Sequence, residues 1–183
     1  SQLSPRLNMT YHLGSRDDQT TGVSCATRTF CVGVLQDGQA AAFDGTGWST
    51  PGDVGSLTRL SSVSCMSTTS CMAVGRGQAV AFNGIAWAPP VLADPAEELT
   101  GVSCAAMASC LATGASTAVR WDGAGWGAPV ETGLAGGGPT AVSCSTGDAC
   151  VVTDQHGSAA QFDGTWAQRV RFDPPSGMID NVS

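Results

Sequence analysis

A block of about 40 residues recurs four times along the chain, and a period of that length marks a repeat architecture in which each unit covers its neighbour's apolar face. The first copy, Gly22 to Asp53, reads GVSCATRTFCVGVLQDGQAAAFDGTGWSTPGD. The next three read SVSCMSTTSCMAVGRGQAVAFNGIAWAPP, GVSCAAMASCLATGASTAVRWDGAGWGAPV and AVSCSTGDACVVTDQHGSAAQFDGTWAQRV. Cys25, Cys65, Cys104 and Cys144 fall 40, 39 and 40 residues apart, and Trp48, Trp87, Trp126 and Trp166 fall 39, 39 and 40 apart.

Each unit runs through a Val-Ser-Cys segment, five mostly small or polar residues, a second Cys with an apolar pair and a Gly-containing break. An Ala-rich run ending in Phe or Trp, an Asp-Gly or Asn-Gly turn and the Trp complete it. This pattern reads as four short strands, a to d. The c–d turns, Asp44-Gly45, Asn83-Gly84, Asp122-Gly123 and Asp163-Gly164, supply residues that tolerate positive φ, as tight hairpins require. The fourth unit, FDGTW, is one residue shorter than FDGTGW, which demands a different hairpin loop or a bulge there if side chains are to keep their faces.

No stretch shows a capped period near 3.6, and the most helix-like piece, Pro95 to Leu99, is short. The expected fold is all-β: a disulfide-stapled small β-propeller with four blades of about 40 residues, spanning 22–61, 62–100, 101–140 and 141–183. Phe43, Phe82, Trp121 and Phe162, with the four Trp, then become core between blades; carbohydrate stacking is the sharper alternative. Residues 1–21 lack the cysteines and the turn and form a separate N-terminal segment, in which Leu7 to His12 reads as a strand suited to closing the ring. Val182-Ser183 stands 40 residues after Val142-Ser143, in register for a fifth Val-Ser-Cys. That register implies a further blade, or else a closing strand from Ile179 to Ser183 that pairs with the N-terminal segment.

The eight cysteines form four C-x5-C pairs. Zinc knuckles space ligands more closely and gather four on one ion, and a redox motif is a single C-x-x-C. Structural disulfides follow: Cys25–Cys31, Cys65–Cys71, Cys104–Cys110 and Cys144–Cys150, each tying strand a to strand b and worth roughly 2 kcal/mol by loop-closure entropy. Dependence on oxidation puts the domain outside a reducing cytoplasm, at the cell surface or beyond.

Fifteen acidic residues face eight basic ones, all Arg, for a net charge of −7. A nucleic-acid or anionic-membrane binder needs a basic patch, so those partners are not expected. No membrane-crossing run or leader is present in these residues; the expected anchor lies upstream. The sequons Asn8-Met9-Thr10 and Asn181-Val182-Ser183 suit glycans only in a eukaryotic secretory route. The Ser of Val-Ser-Cys recurs at Ser24, Ser64, Ser103 and Ser143, which reads as a strand requirement and not as a nucleophile. His12 and His156 are the two histidines, and His156 beside Asp154 reads as a solvated loop residue. The Asp-Gly turns resemble the Asp-box hairpins of sialidase propellers without meeting their spacing. No phosphate loop, dinucleotide fingerprint or calcium loop is present, so neither catalysis nor a cofactor or metal is expected.

Residues 22–173, with V-S-C-x5-C, a Gly break, [FW]-[DN]-G and Trp, resemble repeats of exported and surface proteins of actinobacteria. These include extracellular sensor domains of receptor-type serine/threonine protein kinases of mycobacteria. The resemblance implies a cytosolic kinase and one transmembrane helix upstream, with ligand binding or dimerisation of this part as the signal. It carries over no functional residue, because the matched positions are structural. The alternatives are a secreted or wall-associated binding module for glycan or protein and, more remotely, a propeller hydrolase.

Laying the strands onto a propeller puts most acids on the end where the d–a and b–c connections emerge. Asp53, Asp94, Glu97, Glu98 and Glu131 are the candidate binding face there, joined by Asp37 and Asp154 and diluted by Arg59 and Arg76. Asp44, Asp122, Asp148 and Asp163 fall on the other end. Such a face attracts a cationic ligand, a divalent ion or a basic partner; its bland alternative is a solvated rim.

Overall fold

A computed structural model of the chain describes residues 19–55, 59–134, 138–146, 149–167 and 169–172. It contains four antiparallel sheets of four strands, one per repeat, each a simple meander in chain order. Blade 1 comprises β1 (Thr20–Thr27), β2 (Phe30–Leu35), β3 (Gln39–Phe43) and β4 (Gly52–Asp53). Blade 2 comprises β5 (Ser62–Ser67), β6 (Ser70–Gly75), β7 (Gln78–Phe82) and β8 (Val91–Leu92). Blade 3 comprises β9 (Gly101–Ala106), β10 (Ser109–Thr113), β11 (Thr117–Trp121) and β12 (Val130–Glu131). Blade 4 comprises β13 (Pro139–Thr146), β14 (Ala149–Asp154), β15 (Ser158–Asp163) and β16 (Val170–Arg171). Pro95 to Leu99 is non-helical. The expected strand at Leu7–His12, the closing strand at Ile179–Ser183 and both sequons lie outside the described residues.

All four disulfides form as expected, joining Cys25–Cys31, Cys65–Cys71, Cys104–Cys110 and Cys144–Cys150. Each joins residues directly opposite on strands a and b. The second cysteines Cys71, Cys110 and Cys150 are buried where blades meet.

Period-2 alternation sends the two faces of each b strand to different neighbours. Val32, Val34 and Ala40 of blade 1 pack against Val63, Cys71, Ala73 and Val80 of blade 2, with Val54 and Leu60 closing the cluster. Met72, Val74 and Ala79 meet Val102, Cys110, Ala112 and Val119 across the next seam. Leu111 and Ala118 meet Cys150, Val152 and Ala160 across the third. A fully buried aliphatic side chain is worth about 1.5–3 kcal/mol, so the seams hold the blades in a row. Phe82, Trp87, Trp121, Trp126, Phe162 and Trp166 pack partly buried against these clusters, as the core reading expects.

The first strands of successive blades lie side by side: β1 with β5, β5 with β9 and β9 with β13. Hydroxyls join them. Ser24 Oγ accepts the Cys65 amide at 2.9 Å, Ser64 Oγ the Cys104 amide at 3.0 Å and Ser103 Oγ the Cys144 amide at 2.9 Å. The repeated Ser is thus an inter-blade acceptor, a role that its position within one strand does not disclose.

At the c–d turns only the glycine takes positive φ (Gly45 94°, Gly84 92°, Gly123 94°, Gly164 99°). The Asp or Asn before it instead accepts loop amides, as Asp44 Oδ1 does from Thr46 and Gly47 at 2.8 and 3.0 Å. In blade 4 the missing residue comes out of the loop: Asp163 N–H donates to Thr165 O where Asp44 N–H donates to Gly47 O. The bridge Phe162–Trp166 therefore matches Phe43–Trp48, and no side chain changes face.

Candidate functional site

The d–a and b–c connections do emerge at one end. The residue after each d strand donates its amide to the b–c turn of its own blade: Val54 to Gly38 O, Ala93 to Gly77 O, Thr132 to Ser116 O and Phe172 to Gly157 O. Asp53 and Glu131 are exposed at this end, and Asp53 Oδ1 accepts from Gln39 Nε2 at 3.3 Å.

Of the candidate acids in the second d–a connection, Asp94 and Glu97 are tied into the fold and Glu98 is exposed. Asp94 is 1% exposed. Its Oδ1 accepts the amides of Ala96 (2.8 Å) and Glu97 (3.2 Å), and its Oδ2 lies 2.7 Å from Thr117 Oγ1. Glu97 is half-buried and reaches into the b–c turn of blade 3. There its carboxylate takes the Ser116 hydroxyl at 2.6 Å, the Ser116 and Thr117 amides at 2.9 and 3.2 Å, and the Thr117 hydroxyl at 2.9 Å. Burial raises the Glu97 pKa, but these hydrogen bonds to Ser116 and Thr117 outweigh it and hold the group at about 2, against an ordinary 4.5. Asp94 and Glu97 thus fasten the connection to the next blade, since a buried carboxylate is tolerated only when its oxygens are satisfied. Glu98 is exposed and pairs with Arg59 at 3.1 Å.

Around this frame lies a depression of about 450 Å³, walled by Arg59, Arg76, Leu92, Pro95 and Glu98. Its charge is mixed. Arg76 (φ 50°) and Gly77 (φ 72°) form the two-residue loop between Gly75 and Gln78, and positive φ at both is what a primed hairpin turn requires. The expectation named Glu98 but treated the two arginines as mere diluents.

Asp154 serves a structural end as well, its Oδ1 accepting the amides of His156 and Ser158, both at 2.8 Å. Those bonds, led by the Ser158 amide and opposed by burial, hold its carboxyl below the usual range. Among the described residues no three His, Cys, Asp or Glu side chains gather as a metal site. No helix among them is long and apolar enough to cross a membrane.

Four meandering four-stranded blades packed face to face define a β-propeller. The solved structure titled "YCF48 bound to D1 peptide", also a β-propeller, is similar at a TM-score of 0.64 and 14% identity; the match covers 88% of this chain and 57% of that one. The chain thus spans little more than half the length of that structure, and the likeness is one of fold. No protein-family model and no curated protein matches the chain. The four intramolecular disulfides suggest an oxidising, extracellular environment.

Proposed function

We propose that the chain is the extracellular ligand-recognition domain of a transmembrane signalling protein, a serine/threonine kinase, and has no catalytic activity itself. The observation that carries the recognition reading is the mixed-charge depression on the loop end of blade 2, whose Pro95–Glu98 wall is pinned to blade 3 by Asp94 and Glu97. A rigid wall spares a ligand the entropy of ordering it. Arg59, Arg76 and Glu98 suit a ligand carrying both a carboxylate and an amine, such as a short peptide, and the similar propeller is titled as peptide-bound. The kinase context is supported by the resemblance of the repeats alone.

Two measurements test this. In calorimetric titration with short zwitterionic peptides, Arg76→Gln should weaken binding by about tenfold or more at unchanged Tm, since one charge-assisted hydrogen bond is worth about 1.5–3 kcal/mol. Unchanged binding would remove the depression from the site. Upstream of Ser1, the gene should encode a transmembrane helix preceded by kinase motifs. A signal peptide alone would favour the second reading, a secreted or wall-associated binding module.

A further inference from the structure

We infer that the seam between blades 2 and 3 carries a thioether site for one soft monovalent cation of the Cu(I) class, held by Met66 and Met107 with Met72 as the third donor. These three are the methionines among the described residues, and all of them line one hollow of about 190 Å³ at the end of that seam where the a–b loops emerge. Met66 and Met72 come from β5 and β6 of blade 2, and Met107 from the a–b loop of blade 3. The sulfurs of Met66 and Met107 meet at one hydroxyl: Ser70 Oγ lies 3.9 Å from Met66 Sδ and donates to Met107 Sδ across the seam. Ser70 is 4% exposed, so the two thioethers converge on a buried point.

The repeat itself supplies the comparison. Where Met66 stands, the other blades have Ala26, Ala105 and Ser145; where Met107 stands, they have Arg28, Thr68 and Gly147; where Met72 stands, they have Val32, Leu111 and Val151. Three unrelated repeat positions thus acquire sulfur at the same seam. A methionine is often a flexible filler of core gaps, and Met72, 6% exposed, fits that description. Met107 is 64% exposed and fills no core. This seam also has Trp121 where the other hairpins have Phe43, Phe82 and Phe162, and the indole Nε1–H donates to Met107 O at 3.0 Å, fixing the loop that presents the sulfur. Trp121 lines the hollow as well, and an indole is the side-chain ring that best attracts a cation over its face.

The donors select the ion. Thioethers are soft ligands that favour Cu(I), whereas carboxylates and carbonyls suit calcium and magnesium. All eight cysteines are in disulfides, so the thioethers are the soft donors left to this chain. Unlike a thiol or an imidazolium, a thioether has no proton to release on binding a metal, and no side chain lining the hollow titrates. Capture there is therefore independent of pH. The hollow lies at the opposite end of the blades from the mixed-charge depression, since a–b and b–c connections alternate ends in a meander, and the inference does not rest on the recognition reading.

Silver(I) is the probe, because it shares the softness of Cu(I) and is stable in air. Calorimetric titration of the 183-residue chain with silver nitrate in chloride-free buffer should show one ion per chain. Its affinity should be equal about one pH unit above and below the ordinary histidine pKa of about 6.5. Methionine-methyl NMR assigns the donors: one equivalent should shift the signals of Met66, Met72 and Met107 and leave those of Met9 and Met178 in place, and zinc should shift none. Met66→Leu and Met107→Leu nearly conserve volume, so each should weaken binding by more than about tenfold while thermal unfolding of the ion-free chain stays the same. The absence of saturable uptake, five methyl signals that shift alike, an affinity that falls on the acid side, or a Met66→Leu/Met107→Leu protein that binds silver as tightly would each overturn the proposal.

Discussion

Asp94 is the residue whose burial most changes how the loop end works. Replacing it with Ala leaves the Ala96 and Glu97 amides without their acceptor and removes the nearer of the two acceptors of the Thr117 hydroxyl, and a buried group left unsatisfied costs about 1–3 kcal/mol. Glu98→Gln removes only an exposed ion pair and should cost less than about 1 kcal/mol. Urea denaturation of both variants checks this ordering, and equal midpoints would refute the structural role of Asp94. Glu97 adds a pH dependence with a defined sign. Its folded pKa of about 2 lies below the ordinary 4.5, so its stabilisation is complete above about 4.5 and is lost as the pH falls towards 2, where the unfolded chain takes up the proton first. Glu97→Gln should flatten the fall in stability over that window. None of this was legible in the sequence, because Glu97 meets Ser116 and Thr117 across 19 and 20 residues with no spacing signal. The inter-blade serines did leave a signal, their fourfold recurrence, but what they bond lies about 40 residues away.

Strands, turns and disulfides were legible because each is fixed locally: alternation sets the faces, Asp-Gly and Asn-Gly set the hairpins, and opposed cysteines set the a–b pairing. The hairpins differ in how closely they meet the a–b loop, and that difference is testable. A Cβ on Gly84 (φ +92°) would stand 2.8 Å from Thr69 Cγ2 and 3.0 Å from Thr69 Cα. A Cβ on Gly45 (φ +94°) would stand 3.0 Å from Thr29 Cγ2 and 3.4 Å from Thr29 Cα. Both Gly→Ala changes should lose the backbone strain of positive φ, about 1–3 kcal/mol. Gly84→Ala should lose up to about 1 kcal/mol more than Gly45→Ala from overpacking against the backbone of the a–b loop. Thermal unfolding of the pair decides it; equal losses would mean that the a–b loop yields freely and does not brace the hairpin.

At the scale of the molecule, the blades form a nearly one-dimensional array in which each is stabilised by its own disulfide and by the seams it shares. Among the described residues, blades 2 and 3 have a seam on both faces, whereas blades 1 and 4 have one each. Local opening in such an array follows the number of seams, so protection against amide hydrogen exchange should be graded and not uniform. The central strands β6 and β10, buried throughout, should exchange most slowly. Strand β14, in which Val151 is exposed, and β1, in which Val23 is exposed, should open faster by an order of magnitude or so, the equivalent of about 1.4 kcal/mol. Uniform protection would mean that the disulfides, and not the seams, govern local stability.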